Sequence, residues 1–203
     1  YYLGDDEHKA SNGTGNKFEV IKLNTTMGIT VKDIVYGQVA NITVTINNAA
    51  TGYITIRIND TKSITLPVVE GKVNWIVSGL GVDNYTVYAN YSGDSNYASA
   101  LDSITIVVNK AINNVVVSAN SVIYPDNVTI NVKADIDGIY MVSVGDNYFE
   151  VNVVNGKGSV SVSLGVGDYC TVTYADNPNY ETNIREANFA VLPVEDYVFG
   201  FKM

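Results

Sequence analysis

Residues 71–97 read GKVNWIVSGLGVDNYTVYANYSGDSNY, and residues 156–180 read GKGSVSVSLGVGDYCTVTYADNPNY. The same landmarks recur in the same order. Gly71-Lys72 matches Gly156-Lys157, Leu80 and Leu164 each precede a glycine turn, Tyr85 and Tyr169 each open a β-rich run, and Tyr97 and Tyr180 each close an Asn-Tyr pair. The offsets drift from 85 to 84 to 83 residues, as they do when duplicated units gain or lose loop residues separately. A repeat of this period fixes the architecture before any single motif does, and it points to a chain built from two copies of one module.

The bulk numbers agree. The chain has 203 residues, 46% hydrophobic and only 16% charged, the composition of a folded chain with enough length for two modest cores. Its net charge of −9, with no Lys or Arg cluster to offset it, disfavours nucleic acid and anionic lipid as partners. No apolar run approaches the roughly 20 residues of a membrane span, so direct membrane insertion is not expected. Tyr1–Glu7 lacks the basic start and apolar centre of a signal peptide, so an exported form would be a trimmed one. A single cysteine, Cys170, allows no intrachain disulfide and leaves stability to packing.

Alternating runs rich in Val, Ile, Thr and Tyr dominate, and helix signals are scarce. Seven short strands are expected in each unit, among them residues 40–46, 53–58, 72–77 and 85–91 in the first and 127–132, 139–144, 158–164 and 169–174 in the second. Asn155-Gly156 is the best two-residue hairpin signal. In the run 40–46, Ile42, Val44 and Ile46 should face inward while Asn41, Thr43 and Thr45 face out. This pattern predicts an all-β chain of two tandem immunoglobulin-like β-sandwiches. Tyr85 and Tyr169 stand where a tyrosine corner would bond its hydroxyl to upstream backbone. The expected organisation is an N-terminal segment 1–27, a first domain 28–110, a second domain 111–195 and a tail 196–203.

The N-terminal segment holds an extra strand. Phe18-Glu19-Val20-Ile21-Lys22-Leu23 resembles the end of each unit, Ile106-Val107-Val108-Asn109-Lys110 and Phe189-Ala190-Val191-Leu192. It reads as a last strand without its own domain, so Phe18, Val20, Ile21 and Leu23 are candidates for an intersubunit strand. A lone apolar strand is otherwise a liability for aggregation. Residues 1–16 are polar and glycine-bearing, and are expected to be mobile.

The repeat is similar to the bacterial-type Ig-like domains found in tandem in large adhesin-like surface proteins of methanogenic archaea and some bacteria. The resemblance covers about Ile29 to Pro193. It rests on Val35-Tyr36-Gly37 ahead of Asn41-Ile42-Thr43-Val44-Thr45, then Gly71-Lys72, Leu80, Tyr85-Thr86-Val87, and above all Tyr91-Ser92-Gly93-Asp94-Ser95-Asn96-Tyr97. The second unit departs from it, with Tyr124-Pro125 in place of Tyr-Gly and no Ser-Gly-Asp before Asn179-Tyr180. What the resemblance implies is a structural or adhesive role at the cell surface, with no catalytic residue to carry across.

The residues themselves offer little chemistry. The single histidine, His8, lies in the N-terminal segment, and Cys170 alternates with Val172 and Tyr174, which predicts a buried structural thiol. Asp135 and Asp137 are the nearest thing to a carboxylate pair, but turn-shaping is the better reading of both. No cofactor is expected. Calcium is the one ion whose hard oxygen ligands are represented, by Asp94, Ser95 and Asn96 or by Asp135 and Asp137, without EF-hand spacing. Sequons begin at Asn12, Asn24, Asn41, Asn59, Asn84, Asn90 and Asn127, about twice the number chance supplies, and none falls where a glycan would be buried. Tyr88, outward beside Asn90, and Tyr97, in the following loop, form a candidate contact surface. The expected function is that of an extracellular structural or adhesive segment. Its partners would be other copies, neighbouring Ig-like domains, or a surface or glycan ligand. The alternatives are a filament subunit assembled by donating the N-terminal strand, and a carbohydrate-binding module.

Overall fold

The computed structural model describes residues 1–15, 17–174, 177–181 and 184–194. The aromatic tail at 197–201 lies outside them. Every regular element among the described residues is a strand. The first unit stacks a sheet of β1 (Met27–Thr30), β3 (Ala40–Ile46) and β6 (Lys72–Val77) on a second sheet. That sheet holds β2 (Ile34–Val35), β8 (Ala100–Asn109), β7 (Asp83–Tyr91), β4 (Tyr53–Ile58) and β5 (Lys62–Pro67), in spatial order β2-β8-β7-β4-β5.

The second unit repeats the plan. One sheet is built from β9 (Val115–Ala119), β11 (Val128–Ala134) and β14 (Lys157–Val162). The other is β10 (Val122–Ile123), β16 (Arg185–Leu192), β15 (Gly167–Tyr174), β12 (Gly138–Val144) and β13 (Asn147–Val153), in order β10-β16-β15-β12-β13. Adding eight to each strand number of the first unit gives the strand order of the second. Each unit closes with the same parallel pair, Ile34 beside Val108 and Val122 beside Val191. These are two Ig-like sandwiches.

Alternation in sequence becomes burial in three dimensions. Along β3 the pattern is as expected, with Ile42 and Val44 fully buried and Asn41 and Thr45 exposed. Ile54, Ile56 and Ile58 of β4 pair with Tyr91, Ala89 and Val87 of β7, and all six are sealed from solvent. In the second unit Val117, Ile130 and Val132 of one sheet join Val142, Val151 and Phe189 of the other in a single core. Full burial of a side chain of this kind stabilises by roughly 1.5–3 kcal/mol, so these interiors carry most of the fold.

The turns are also paired. Glu70-Gly71 and Asn155-Gly156 both take positive φ at both positions, and each is closed by two hydrogen bonds, Val69 with Lys72 and Val154 with Lys157. Primed two-residue turns of this kind match the twist of the strands they join. A side chain at Gly71 would come within 2.8 Å of the Asn48 Cα and the Ile46 carbonyl, so the position admits glycine alone. Tyr36-Gly37 and Tyr124-Pro125 differ in sequence, yet each tyrosine N–H donates to the end of the last strand, at Asn109 and Leu192 (2.8 and 2.9 Å). Glycine at φ +88° makes one turn and a cis peptide the other.

Two expectations need revision. Residues 18–22 form no strand, and Phe18, Val20 and Ile21 are 77–88% exposed. Only Leu23 pairs, in a parallel bridge to Tyr97. The residues before it include a loop closed by Tyr2 and Ser11. Second, Cys170 is exposed. The strand β15 runs in the opposite phase from the expected one, with Thr171 and Thr173 at 0% exposure. Their partners across the sheet are Val144 and Val142, both buried, and residues paired across a ladder must face the same way.

Candidate functional site

The candidate surface lies on the outer face of the five-stranded sheet of the first sandwich. Arg57 of β4 and Tyr88 of β7 are direct cross-strand partners, as are Thr55 and Asn90. The guanidinium carbon sits 5.0 Å from the Tyr88 ring centroid, and Arg57 Nη1 lies 3.2 Å from Asp60 Oδ1. The hydroxyls of Thr55 and Thr65 are 2.8 Å apart. The face is therefore polar, with one aromatic ring already covered by a cation. Tyr97 is half-buried in the loop that receives Leu23, and its N–H donates to Asp94.

That loop is organised around one carboxylate. Asp94 Oδ1 accepts from the N–H groups of Asn96 (2.8 Å) and Tyr97 (2.7 Å), and Oδ2 accepts from the Thr51 N–H (2.7 Å) and hydroxyl (2.9 Å). The backbone N–H of Thr51 is the largest of several donors that hold the Asp94 carboxyl far below the usual range. Beside it the buried Tyr91 hydroxyl donates to the Thr51 carbonyl at 2.8 Å. Burial first, then the Asp94 carboxylate, push the Tyr91 hydroxyl up to about 12. The Ser-Gly-Asp-Ser-Asn-Tyr string is thus a latch between the β7–β8 loop and Thr51. With each carboxylate oxygen accepting twice, Asp94 is committed to the loop.

The other acidic candidates are committed too. Asp135 Oδ2 accepts from the Asn114 N–H (3.2 Å) and side-chain amide (2.6 Å). Asp137 accepts from Gly156 and Asn155 N–H groups at 2.9 Å, which hold its carboxyl below the usual range, Gly156 contributing most. They cap different segments and do not converge. His8 Nδ1 is 3.0 Å from Asp5 Oδ1 at an exposed position. Among the described residues, no three His, Cys, Asp or Glu side chains gather as metal ligands would. No helix among them is long and apolar enough to cross a membrane.

Both expected tyrosine corners are present. Tyr85 Oη donates to the Gly81 carbonyl (3.1 Å) and Tyr169 Oη to that of Gly165 (2.9 Å), four residues back in each case. A third tyrosine, Tyr140, bonds to Ile136 in the same way at 2.7 Å and also accepts from Asn113. Of the sequon residues, Asn12, Asn24, Asn41, Asn84, Asn90 and Asn127 are exposed. Asn59 is half-buried, with its Oδ1 accepting from the Thr86 N–H at 2.8 Å.

Residues 27–109 match the family model of the bacterial Ig-like domain, group 3. No curated protein is similar in sequence. Among solved structures, a 1.5-MDa bacterial ice-binding adhesin is 15% identical with a TM-score of 0.34, over 85% of this chain and 65% of that one. A calcium-stabilised ice-binding adhesin of an Antarctic bacterium is 15% identical at 0.33, over 87% of this chain and 50% of that one. The I9–I11 tandem of titin is 14% identical at 0.36, over 84% and 66%. The chain thus spans half to two thirds of the length of these structures.

Proposed function

We propose that this chain, which carries a bacterial Ig-like domain and a second sandwich of the same strand order, is a tandem spacer or adhesive segment of an extracellular surface protein. The observation that carries the reading is duplication, two sandwiches built in one strand order. The interior of each sandwich is spent on packing, and Asp94, Asp137 and Tyr91 hold loops of the sandwiches together. In this reading residues 28–110 and 111–195 are the working modules. Chain direction is held at the start of each by one repeated device. Leu23 donates to the Asn96 carbonyl and accepts from Ala98, while Ala111 donates to Asn179 and accepts from Glu181. Leu23 and Ala111 each stand four residues ahead of the first strand of their sandwich.

Seven sequons with solvent-facing or half-buried asparagines support an exported, glycan-bearing chain. Six of them fall in or before the first sandwich. The polar face around Tyr88 and Asn90 would carry contacts or a glycan. Protease shaving of intact cells tests the localisation, since an exported segment is released by external protease and an internal one is protected. Intact-mass measurement of native protein tests the glycans, with no added mass ruling them out.

A second reading, a filament subunit that donates residues 18–23, draws on the exposure of Phe18, Val20 and Ile21. It requires polymers in size-exclusion chromatography that vanish when residues 1–24 are removed.

A further inference from the structure

The loop at the very start of the described chain repeats the Asp94 latch. Tyr2-Leu3-Gly4-Asp5-Asp6-Glu7-His8 aligns with Tyr91-Ser92-Gly93-Asp94-Ser95-Asn96-Tyr97. The hydrogen bonds coincide. Asp5 N–H donates to the His8 carbonyl at 2.9 Å, as Asp94 does to Tyr97 at 3.1 Å. Asp5 Oδ1 accepts from the N–H groups of Glu7 (3.0 Å) and His8 (2.8 Å), as Asp94 Oδ1 does from Asn96 and Tyr97. Gly4 and Gly93 have φ of +84° and +83°. A Cβ at Gly4 would meet the His8 carbonyl oxygen and the Ala10 nitrogen, and one at Gly93 the corresponding Tyr97 oxygen and Ser99 nitrogen.

What flanks the loop coincides as well. The first sandwich enters it from Tyr91, the last residue of β7, and leaves it at Ala100, the first of β8. At the N-terminus the flanking pair is Tyr2 and Ser11, bonded in both directions at 3.0 and 2.9 Å and also nine residues apart. Counting back from the paired residues Leu23 and Ala111, Val20 takes the place of Val108 and Phe18 that of Ile106. Val108 and Ile106 are 1% exposed, whereas Val20 and Phe18 are 84% and 88% exposed.

We infer that Tyr2–Lys22 is the closing loop and last strand of a third sandwich of this design, and that the remaining strands of that sandwich, in polypeptide continuous with Tyr1, cover Phe18 and Val20. Continuity is favoured over a second copy by where Tyr2 falls. Its counterpart Tyr91 ends an inner strand, hydrogen-bonded between β8 and β4, while a strand on loan between molecules would bring the last strand alone. The covering polypeptide should supply a counterpart of Thr51 ahead of its fourth strand. Thr51 bonds Asp94 Oδ2, and the Tyr2 hydroxyl takes that place on Asp5 Oδ2. The inference rests on the tandem reading above and extends it to a third module.

The gene read upstream of the Tyr1 codon supplies the test. Its expected content is about 70 residues of alternating β-rich sequence with a Thr or Ser at the Thr51 position, judged from the length of the first unit. The protein extended by that segment should show one more unfolding transition than the 203-residue chain, and Phe18→Asp should remove that transition alone. Unrelated upstream sequence, or an unchanged number of transitions, overturns the inference while leaving the surface role to the shaving assay. Polymers of the 203-residue chain that Phe18→Asp dissolves would overturn it in favour of strand loan. The loop equivalence has its own check in the 203-residue chain. Ser92→Leu, Ser95→Asp, Asn96→Glu and Tyr97→His together install the N-terminal loop in the first sandwich, and should shift its Tm by less than about 5 °C. A drop as large as that of Asp94→Ala would contradict the equivalence.

Discussion

The two sandwiches share a strand order and differ inside it, and the differences separate what the design requires from what it tolerates. Val73 and Gly158 stand at the same place, two residues after the repeated turn glycine. Val73 is buried, but a Cβ on Gly158 would lie 2.6 Å from the Asn152 carbonyl, because backbone approaches there. Val87 and Ala89 of β7 become Thr171 and Thr173 of β15, equally buried. The Thr173 hydroxyl reaches the Met141 carbonyl at 3.1 Å, while the Thr171 hydroxyl has no partner among the described residues. Asp94 becomes Asn177, whose side-chain oxygen still accepts from Asn179 N–H at 3.0 Å. The frame is common to both, and the filling is particular to each.

The comparison breaks most sharply at Gly158. Gly158→Val should cost the second sandwich roughly 3 kcal/mol through overpacking against backbone, while Val73→Gly should cost the first a similar amount through the cavity and chain entropy. Urea unfolding followed by a probe on each sandwich checks both. Equal tolerance of valine at the two places would show that the close approach is not real.

A smaller effect has the opposite sign. Thr171→Val should stabilise the second sandwich by about 1 kcal/mol, since it replaces an unpaired buried hydroxyl with an isosteric methyl. Val87→Thr should destabilise the first by about 1–3 kcal/mol for the converse reason. Smaller still, Tyr85→Phe and Tyr169→Phe should each cost about 1 kcal/mol and cost the two sandwiches alike. A difference between the two variants beyond experimental error would mean that only one corner bears on stability.

The last contrast is absent at neutral pH. Asp94 has its carboxyl depressed in the folded chain, so its contribution is complete above the ordinary carboxylate range and is lost as pH falls toward the folded value. Asp137 behaves in the same direction in the second sandwich. Acid titration of Tm should therefore be flattened for the first sandwich by Asp94→Asn and for the second by Asp137→Asn. An unchanged acid limb in Asp94→Asn would show that the latch does not couple to folding.

Much of this was legible in the sequence. Period-2 alternation located the strands of both units, since burial on one face writes itself directly into residue order. The tyrosine corners were legible because their bonds are local, four residues long. The Thr51–Asp94 bond joins residues 43 apart, and nothing in either neighbourhood announces the other. The phase of β15 is not legible in the sequence, because Thr171 and Thr173 look like surface residues. Only their pairing with Val144 and Val142 reveals them as core. The N-terminal loop escaped for a similar reason. Tyr2, Gly4 and Asp5 are three identities in a polar stretch, and they acquire meaning only when the hydrogen bonds around them are set beside those of Asp94.

Pulling single molecules of the 203-residue chain from its two ends addresses the duplicated architecture most directly. Two separate unfolding events are predicted, each releasing the extended length of about 80 residues, roughly 270 Å at ~3.4 Å per residue, with Gly158→Val weakening only one of them. A single event that releases the whole chain at once would contradict two self-contained sandwiches.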